Sequence, residues 1–312
     1  MERRREKMGR APFLQFREVL VTGGTGFVGR HVCRALAARG HIPRILVRPG
    51  SEERVPEDMR KSCRVTPGDA TVREFVENGA QGTDAIVHLV GIIREFPAKG
   101  ITFERLHVEA TRNALHAAKQ WGIRRFVHMS ALGAEPGGPT PYFDTKGRAE
   151  DLVRSSGLDW TIFRPSVIFG PGDMFVNELA RTFRKIPFLP VAGNGEYRLQ
   201  PVFVGDVAKG VADAVDREDL SGKTFDVGGP DSFSYNDLVD RIAASVGKRI
   251  RRVHLSIPRM IRLVKTLSRF ERFPVTVDQI AMLLAESVCD SSPYYSTFSF
   301  DPFPLSAYLQ KA

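Results

Sequence analysis

Apolar and polar positions over the first 170 residues follow two periods, one typical of buried strands and one typical of amphipathic helices. Residues 19–21 are an apolar run, and beyond a glycine turn Val28, Val32 and Leu36 recur at helical spacing up to Gly40. Similar runs predict five more strands, at 42–48, 63–66, 84–91, 125–130 and 159–165, with helices at about 71–79, 102–121 and from 142. Strands that alternate with helices predict an α/β fold with a doubly wound parallel sheet, the Rossmann arrangement.

The pattern changes after residue 170. Helices at 175–185 and 235–246, short strands at 200–204 and 224–229 and a helix that Asp206 is expected to cap predict a smaller C-terminal α+β lobe on the substrate side. The last stretch, 294–312, is rich in aromatic residues and proline and shows no clear period. We therefore predict a basic N-terminal extension (1–17), a dinucleotide-binding Rossmann domain (18–170) and a smaller lobe (171–312), with some chain returning to the Rossmann domain near 198–230.

Three glycines spaced by three, Gly23, Gly26 and Gly29, lie between the first strand and the first helix. Glycine lets a backbone approach a pyrophosphate closely, and the helix that follows supplies free N–H groups and a partial positive charge. An ordinary glycine-rich turn is the alternative, but the flanking strand and helix favour a dinucleotide site. The expected cofactor contacts here are Gly23, Thr25, Gly26, Phe27, Val28 and Gly29.

The second strand ends in Arg48, a position that distinguishes the two nicotinamide cofactors. An acidic residue there binds the ribose hydroxyls of NAD, whereas an arginine pairs with the 2′-phosphate of NADP. Arg30 and Arg54 are close enough in sequence to assist. NADP(H) is therefore favoured over NAD(H), the alternative being that Arg48 is only a solvated charge.

The third and fourth strands supply further candidate contacts. Asp69, followed by Ala70, either accepts a hydrogen bond from the adenine amino group or caps the next helix. The fourth strand is apolar enough to be buried on both faces, and its end, Leu89, Val90 and Gly91, is expected beneath the nicotinamide ribose. His88 within this strand is interpreted as a core histidine with satisfied hydrogen bonds.

Tyr142 and Lys146 are one helical turn apart, just after the fifth strand, so that they share a helix face. An ammonium at this spacing is expected to lower the phenol pKa and to bind the nicotinamide ribose. Tyr142 can then exchange a proton with a substrate oxygen while hydride moves to or from the cofactor. A chance spacing is the alternative, and the preceding strand and glycine turn weigh against it.

Together these residues resemble the short-chain dehydrogenase/reductase superfamily, in its extended or atypical branch that includes nucleotide-sugar epimerases and dehydratases. The resemblance covers roughly 18–230 and implies the cofactor turn at Gly23 to Gly29, an adenine-side acid at Asp69 and a catalytic Tyr142 and Lys146. It also implies that the segment after the sixth strand, with Pro165 and Val167, turns over the nicotinamide.

One position departs from the family's pattern. Extended members carry a Ser-Ser or Ser-Thr pair after the fifth strand, and this chain has Ser130-Ala131. Ser130 is then the candidate for the hydroxyl that orients the substrate, although neighbouring strand residues point to opposite faces.

Three runs are similar to the nucleotide-binding accessory subunit of respiratory complex I and its bacterial relatives: 130–134, 91–95 and 164–173. That resemblance implies tight NADPH binding with a structural role. We therefore favour an NADP(H)-binding protein of this kind, with its oxidoreductase activity an open question. The alternative is an active reductase, dehydrogenase, epimerase or dehydratase acting on a nucleotide sugar or another carbonyl or carbinol compound, and the sequence does not identify that small molecule.

The net charge of +9 is concentrated in two stretches, +3 over residues 1–10 and +8 over 248–272. Residues 258–272 predict a helix with one apolar and one basic half. It either packs its apolar half on its own lobe or binds a membrane surface or a respiratory-complex partner. No nucleic-acid-binding module is present, so a nucleic-acid partner is not expected.

Cysteine spacing and hydropathy indicate the cellular compartment in which the protein is expected. Cys33, Cys63 and Cys289 are scattered, which favours neither a metal site nor a disulfide framework, and no apolar run is long enough to cross a bilayer. The basic N-terminal stretch lacks the apolar core of a secretory signal. A cytoplasmic protein is expected, with a peripheral position at the inner face of the membrane as the variant that the basic helix suggests.

Overall fold

The computed structural model describes residues 17–267 and 275–310. Their strands are β1 (Glu18–Thr22), β2 (Ile42–Val47), β3 (Arg64–Pro67), β4 (Ala85–His88), β5 (Arg125–Met129), β6 (Asp159–Pro165), β7 (Ile168–Phe169), β8 (Phe188–Ala192), β9 (Arg198–Leu199), β10 (Val202–Phe203), β11 (Lys223–Val227), β12 (Phe233–Ser234) and β13 (Arg251–Leu255). Their α-helices are α1 (Phe27–Ala38), α2 (Glu57–Ser62), α3 (Arg73–Ala80), α4 (Ala110–Gln120), α5 (Pro141–Arg154), α6 (Val176–Phe183), α7 (Val204–Asp216), α8 (Tyr235–Ser245), α9 (Ile257–Leu267), α10 (Val277–Leu284), α11 (Ser292–Phe298) and α12 (Leu305–Leu309).

Seven parallel strands form the central sheet in the order β3-β2-β1-β4-β5-β6-β11. The strand order reverses between β1 and β4, which is the doubly wound arrangement, so the predicted Rossmann sheet is confirmed. The edge strand β11 comes from the part of the chain, 198–230, that the sequence predicts to return to this domain. The carboxyl ends of all seven strands meet at one edge of the sheet.

Alternating residues of β1, β2, β4, β5 and β6 enter two hydrophobic cores, one on each face of the sheet. Val19 and Val21 face α1 and α7, where Val32 and Val211 pack against them. Leu20 faces the other side, in a core to which α3, α4 and α5 contribute. Two buried faces explain why β1, β4 and β5 are almost entirely buried along their length.

The smaller lobe has its own core, built from α6, α8 and α12 around short strands. β8 and β13 pair in parallel beside it, and α9 and α10 pack over their end through Ala192, Met260, Val264 and Ile280. This two-stranded sheet and α10 have no counterpart in the sequence prediction, which placed a single strand in the lobe before β11.

The C-terminal aromatic segment returns to the central sheet, although no period in its sequence predicts a structure. Tyr294 is fully buried, packs edge-on against Phe163 of β6, and donates a hydrogen bond of 2.7 Å to the Asp206 carbonyl oxygen. The expected capping role of Asp206 is wrong: α7 begins at Val204, and the Asp206 carboxylate accepts a 2.7 Å bond from the Phe303 N–H.

The helix expected at 102–121, the two basic stretches and the expected lack of a membrane span can each be compared with the described structure. The expected helix at 102–121 is π-helical over Glu104–Glu109 and α-helical only from Ala110. Residues 1–16 of the predicted N-terminal extension (1–17) and the last part of the basic helix, 268–272, lie outside the described residues. Within the described ranges, no helix combines the length and apolarity that crossing a membrane requires.

Candidate functional site

The glycine turn joins β1 to α1 with very little space around its backbone. Gly23 has φ +76°, and a Cβ at Gly29 would lie 2.2 Å from the Gly23 carbonyl oxygen. Gly26 is exposed and occupies the N-cap of α1, where no side chain caps the helix. The turn therefore leaves the N-terminus of α1 open to an anionic ligand, which is what a dinucleotide pyrophosphate requires.

Arg48 follows β2 directly and is exposed at the same edge of the sheet. The Ser51 N–H donates to the Arg48 carbonyl oxygen at 2.9 Å, which closes a tight turn around it. Arg30 in the first turn of α1 donates to the Thr25 carbonyl oxygen at 2.9 Å and so lies against the glycine turn. The side chain of Arg54, the third predicted arginine, lies outside what the structure describes.

Asp69 is held in a local turn and does not cap the next helix, because α3 begins at Arg73 with Val72 at its N-cap and no side-chain cap. Its Oδ1 accepts 2.8 Å bonds from both the N–H and the hydroxyl of Thr71, just before α3. The neighbouring Ala70 carbonyl accepts from Asn113 of α4 at 3.1 Å. Asp69 is half-buried, and a role on the adenine side stays a prediction.

The end of β4 lies against α5. Leu89 donates to the Thr22 carbonyl at 3.0 Å, which joins it to the strand that leads into the glycine turn. Gly91 approaches Lys146 so closely that a Cβ there would lie 2.9 Å from the Lys146 Nζ. Val90 is buried and Gly91 is exposed, so the segment presents its backbone at the sheet edge.

Lys146 is only 4% exposed and donates a 3.1 Å hydrogen bond to the Met129 carbonyl oxygen at the end of β5. Burial lowers the pKa of its ammonium to about 8. The Tyr142 ring lies one turn earlier, in edge contact with Phe103, His107 and Phe143. α5 is started by Thr140, whose hydroxyl accepts from the Phe143 N–H.

The pKa of Tyr142 differs from the expectation. Lys146 was expected to lower it, but burial of the phenol among aromatic rings raises it to about 12. The reason is that the Lys146 ammonium is turned toward the Met129 carbonyl. At neutral pH the phenol of Tyr142 is therefore protonated and can donate a hydrogen bond to a substrate oxygen, but it is not available as a base.

Ser130 follows β5 and is 4% exposed, and its Oγ has no hydrogen-bond partner among the described residues. The next residue, Ala131, is buried and offers no hydroxyl. A buried hydroxyl without a partner is costly unless a ligand supplies one. Ser130 thus fits a role in binding the substrate or the cofactor, while its aim toward Tyr142 stays a prediction.

The segment after β6 joins the sheet to the smaller lobe. Pro165 is buried, and its carbonyl accepts a 3.0 Å bond from the Leu132 N–H in the loop after β5. Val167 accepts from Val202 at 2.9 Å and packs against the core of the lobe. Both therefore lie where two chain segments converge at the carboxyl edge of the sheet.

Three buried histidines lie beneath this edge. His88 bonds Thr22 at 2.7 Å and Thr111 at 3.1 Å, so its interpretation as a satisfied core histidine is confirmed. His128 stacks on His88, and neither of its ring nitrogens has a partner in the described part of the chain. His107, which sequence reasoning missed, bonds Thr145 of α5 and the backbone after β4. The one signal in the sequence is a histidine on the otherwise apolar side of a helix.

The comparisons with known proteins agree with this geometry. A family described as NAD(P)H-binding matches residues 23–172, which run from the glycine turn past β6. The mitochondrial NADH dehydrogenase (ubiquinone) 1 alpha subcomplex subunit 9 of Arabidopsis thaliana is 32% identical over 244 residues, 76% of this chain and 60% of that protein. The ceramide reductase of Caulobacter vibrioides is 34% identical over 190 residues, 61% of this chain and 58% of that protein.

Similarity in structure extends over nearly the whole chain. A nucleoside-diphosphate-sugar epimerase of Staphylococcus aureus superposes with a TM-score of 0.75 at 21% sequence identity. The superposition covers 94% of this chain and 99% of the epimerase chain. The chain spans about three fifths of the length of the two curated relatives. Its central domain is thus an NAD(P)H-binding domain, and the chain resembles the extended short-chain dehydrogenases/reductases and, among them, the accessory subunit of respiratory complex I.

Proposed function

We propose that this protein binds NADP(H) in preference to NAD(H), with Arg48 and Arg30 on the 2′-phosphate. The observation that carries the proposal is the exposed guanidinium of Arg48 at the carboxyl end of β2, where an NAD site carries an acid. The guanidinium fork of arginine matches the oxygens of a phosphate monoester. The contacts expected at the other end of the cofactor are Leu89, Val90, Gly91, Pro165 and Val167.

Titration of the apo-protein with NADPH and with NADH tests the preference. Loss of a charged hydrogen bond in Arg48→Ala should weaken NADPH binding about tenfold or more and leave NADH binding unchanged. Arg64→Ala is the matched control, since Arg64 at the start of β3 pairs with Glu18 at the opposite edge of the sheet. An unchanged ratio of the two affinities in Arg48→Ala shows that Arg48 does not select the cofactor.

We further propose that the bound dinucleotide serves mainly to stabilise the protein, as an accessory subunit of a respiratory complex would use it. Ala131 supplies no second hydroxyl after β5, where the extended short-chain dehydrogenases/reductases carry one. Bound cofactor adds about 2.7 kcal/mol to the free energy of unfolding at a hundredfold excess over its dissociation constant. The partner would meet the outer face of α9, because Met260 and Val264 on its inner face are buried in the lobe.

A second candidate function is the reduction of a carbonyl compound, and the positions of Tyr142 and Lys146 favour it. When bound, NADPH supplies hydride to the carbonyl carbon. The Tyr142 hydroxyl would donate its proton to the carbonyl oxygen, Ser130 Oγ would hold that oxygen, and Lys146 would bind the ribose. The similarity to a ceramide reductase supports this candidate, as the epimerase fold supports a nucleotide sugar.

Turnover assays separate the two functions. The purified protein is incubated with NADPH and, in turn, ketones, quinones and sugar nucleotides, and NADPH oxidation is followed by absorbance. Turnover that is lost in Tyr142→Phe, with NADPH binding retained, establishes the reductase. Tight NADPH binding without turnover on any of these compounds supports the accessory role.

A further inference from the structure

His107 is buried in edge contact with the Tyr142 ring, with 5.5 Å between the ring centroids, and bonds to two different chain segments. It is 1% exposed and lies in the π-helical segment Glu104–Glu109. Its Nδ1 is 2.8 Å from Thr145 Oγ1 on α5, and its Nε2 is 3.2 Å from the Ile92 backbone nitrogen. π-Helical turns within helices frequently occur at functional sites, which makes this residue a candidate for a role in the site.

The neighbouring hydrogen bonds determine which ring nitrogen carries the proton. Thr145 donates its hydroxyl hydrogen to the Pro141 carbonyl at 2.6 Å, so it must accept from His107 Nδ1–H. Nε2 lies 3.2 Å from both the nitrogen and the carbonyl oxygen of Ile92, and in this tautomer it is unprotonated and accepts from the Ile92 N–H. Burial and the nearby Lys146 ammonium lower the pKa of His107 to about 2, so the ring is neutral near pH 7.

A second histidine, His88, is linked through Thr111 to the backbone of His107. Thr111 donates to the His107 carbonyl at 2.6 Å and therefore accepts from His88 Nε2–H. The remaining nitrogen of His88 accepts from the hydroxyl of Thr22, the residue just before the glycine turn. The backbone of His107 is thereby linked through buried side chains to the strand that leads into the cofactor turn.

The two hydrogen bonds of the His107 ring join the two chain segments that lie beside Lys146. Thr145 is the residue before Lys146, and Ile92 is the residue after Gly91, whose backbone lies against the Lys146 Nζ. The imidazole therefore sets the spacing between the segment after β4 and α5 at the point where Lys146 passes between them.

We propose that His107 is a positioning residue for the nicotinamide half of the dinucleotide: it holds the backbone of Gly91 and Ile92 at a fixed distance from Tyr142 and Lys146. The inference rests on the proposed NADP(H) binding and deepens it. It acts through the two segments that His107 joins, because the ring touches only the edge of Tyr142.

Two ligands test the proposal: NADPH, which occupies both halves of the site, and 2′,5′-ADP, which has only the adenosine half. His107→Ala removes both bonds and should weaken NADPH binding about tenfold, while binding of 2′,5′-ADP stays within about twofold of wild type. In His107→Gln the amide oxygen reaches the Ile92 N–H, and in His107→Asn the amide N–H reaches Thr145. Each of these two variants should recover part of the lost NADPH affinity.

A control variant and three possible outcomes of these binding measurements decide whether the proposal holds. His116→Ala is the matched control, because His116 lies on the adjoining α4, has a side chain that is 42% exposed, and pairs with Glu77 away from the site. Unchanged NADPH affinity in His107→Ala overturns the proposal. So does an equal loss for both ligands without recovery in the Gln or Asn variant, which shows a general structural role. A wild-type protein that binds neither ligand refutes the proposed NADP(H) binding itself.

Discussion

Arg164 donates two hydrogen bonds, of 2.8 and 2.6 Å, to the carboxylate of Glu150. Glu150 is 1% exposed and continues the i, i+4 series of Tyr142 and Lys146 along α5. Arg164 stands directly before Pro165 at the end of β6. The pair therefore fixes the segment expected over the nicotinamide against the helix that carries the candidate proton donor.

Removal of Arg164 should be costly, because it leaves a buried carboxylate with fewer partners. Arg164→Ala should lower the free energy of unfolding by about 2–3 kcal/mol, measured by urea denaturation. Arg154 still donates to Glu150 at 2.8 Å, which keeps the loss below that of a fully unpaired charge.

The control for Arg164 is an arginine pair at the surface. Arg124 pairs with Asp159 at 3.0 Å, but its side chain is 81% exposed. Arg124→Ala should change the free energy of unfolding by less than about 0.5 kcal/mol. Equal losses in the two variants argue against a fixing role for the Glu150–Arg164 pair.

Lys146 predicts an unusual dependence of stability on pH. Burial lowers its pKa to about 8 in the folded protein, from the ordinary value of 10.5. Between these values the unfolded chain keeps the proton that the folded protein has lost, so the free energy of unfolding rises with pH. The rise assigned to this group is about 3 kcal/mol.

Urea unfolding of the wild type and of Lys146→Met from pH 7 to pH 10.5 measures this contribution. The wild type should gain stability relative to the variant as the pH rises, since the methionine side chain cannot titrate. The difference between the two proteins isolates the lysine from the tyrosines and thiols that titrate in the same range. A difference that stays constant with pH shows that Lys146 keeps an ordinary pKa.

Alanine substitutions at two glycines of the cofactor turn should differ in their effects on stability and on NADPH binding. A Cβ at Gly29 would overlap the Gly23 carbonyl oxygen, whereas one at Gly26 would lie 3.2 Å from it. Gly29→Ala should therefore cost about 3 kcal/mol of unfolding free energy and Gly26→Ala about 1 kcal/mol. Since Gly26 is exposed at the N-terminus of α1, its Ala variant should still weaken NADPH binding about tenfold. Normal NADPH affinity in folded Gly26→Ala rules out a pyrophosphate at this turn.

The central sheet was predictable because its inner strands β1, β4 and β5 are buried on both faces and therefore read as apolar runs. The predicted β6 agrees with the structure residue for residue, at Asp159–Pro165. The candidate cofactor residues were accessible for the same reason, since parallel strands bring their carboxyl ends to one edge. Local sequence was sufficient where periodicity alone decides the structure.

Other features depend on contacts between distant residues. Cys33 and Cys63 are scattered in the sequence, yet both are buried in the same hydrophobic core. The raised pKa of Tyr142 depends on rings from three other positions, so helical spacing alone could not predict it. Tyr294 lies far along the chain from its partner Phe163, and no local pattern shows such a contact.

Tyr294 should prove a large contributor to the stability of the central domain. Tyr294→Phe removes the hydroxyl bond to the Asp206 carbonyl and should cost about 1 kcal/mol of unfolding free energy. Tyr294→Ala empties a fully buried site between β6 and α7 and should cost about 4 kcal/mol. The comparison by urea unfolding separates the hydrogen bond from the ring. Small losses in both variants show that the C-terminal segment is only loosely attached to the sheet.

The basic outer face of α9 predicts electrostatic binding to an anionic surface. Arg259 and Arg262 are exposed, while Met260 and Val264 are buried against β8 and α10 and cannot insert into lipid. The protein should float with vesicles of anionic lipid at low salt and be released as ionic strength rises, because exposed charges are screened. Arg259→Glu combined with Arg262→Glu should abolish flotation and leave NADPH affinity unchanged. Flotation that survives both the substitutions and high salt requires an apolar contact elsewhere. If the wild type does not float, α9 has only its packing role in the lobe.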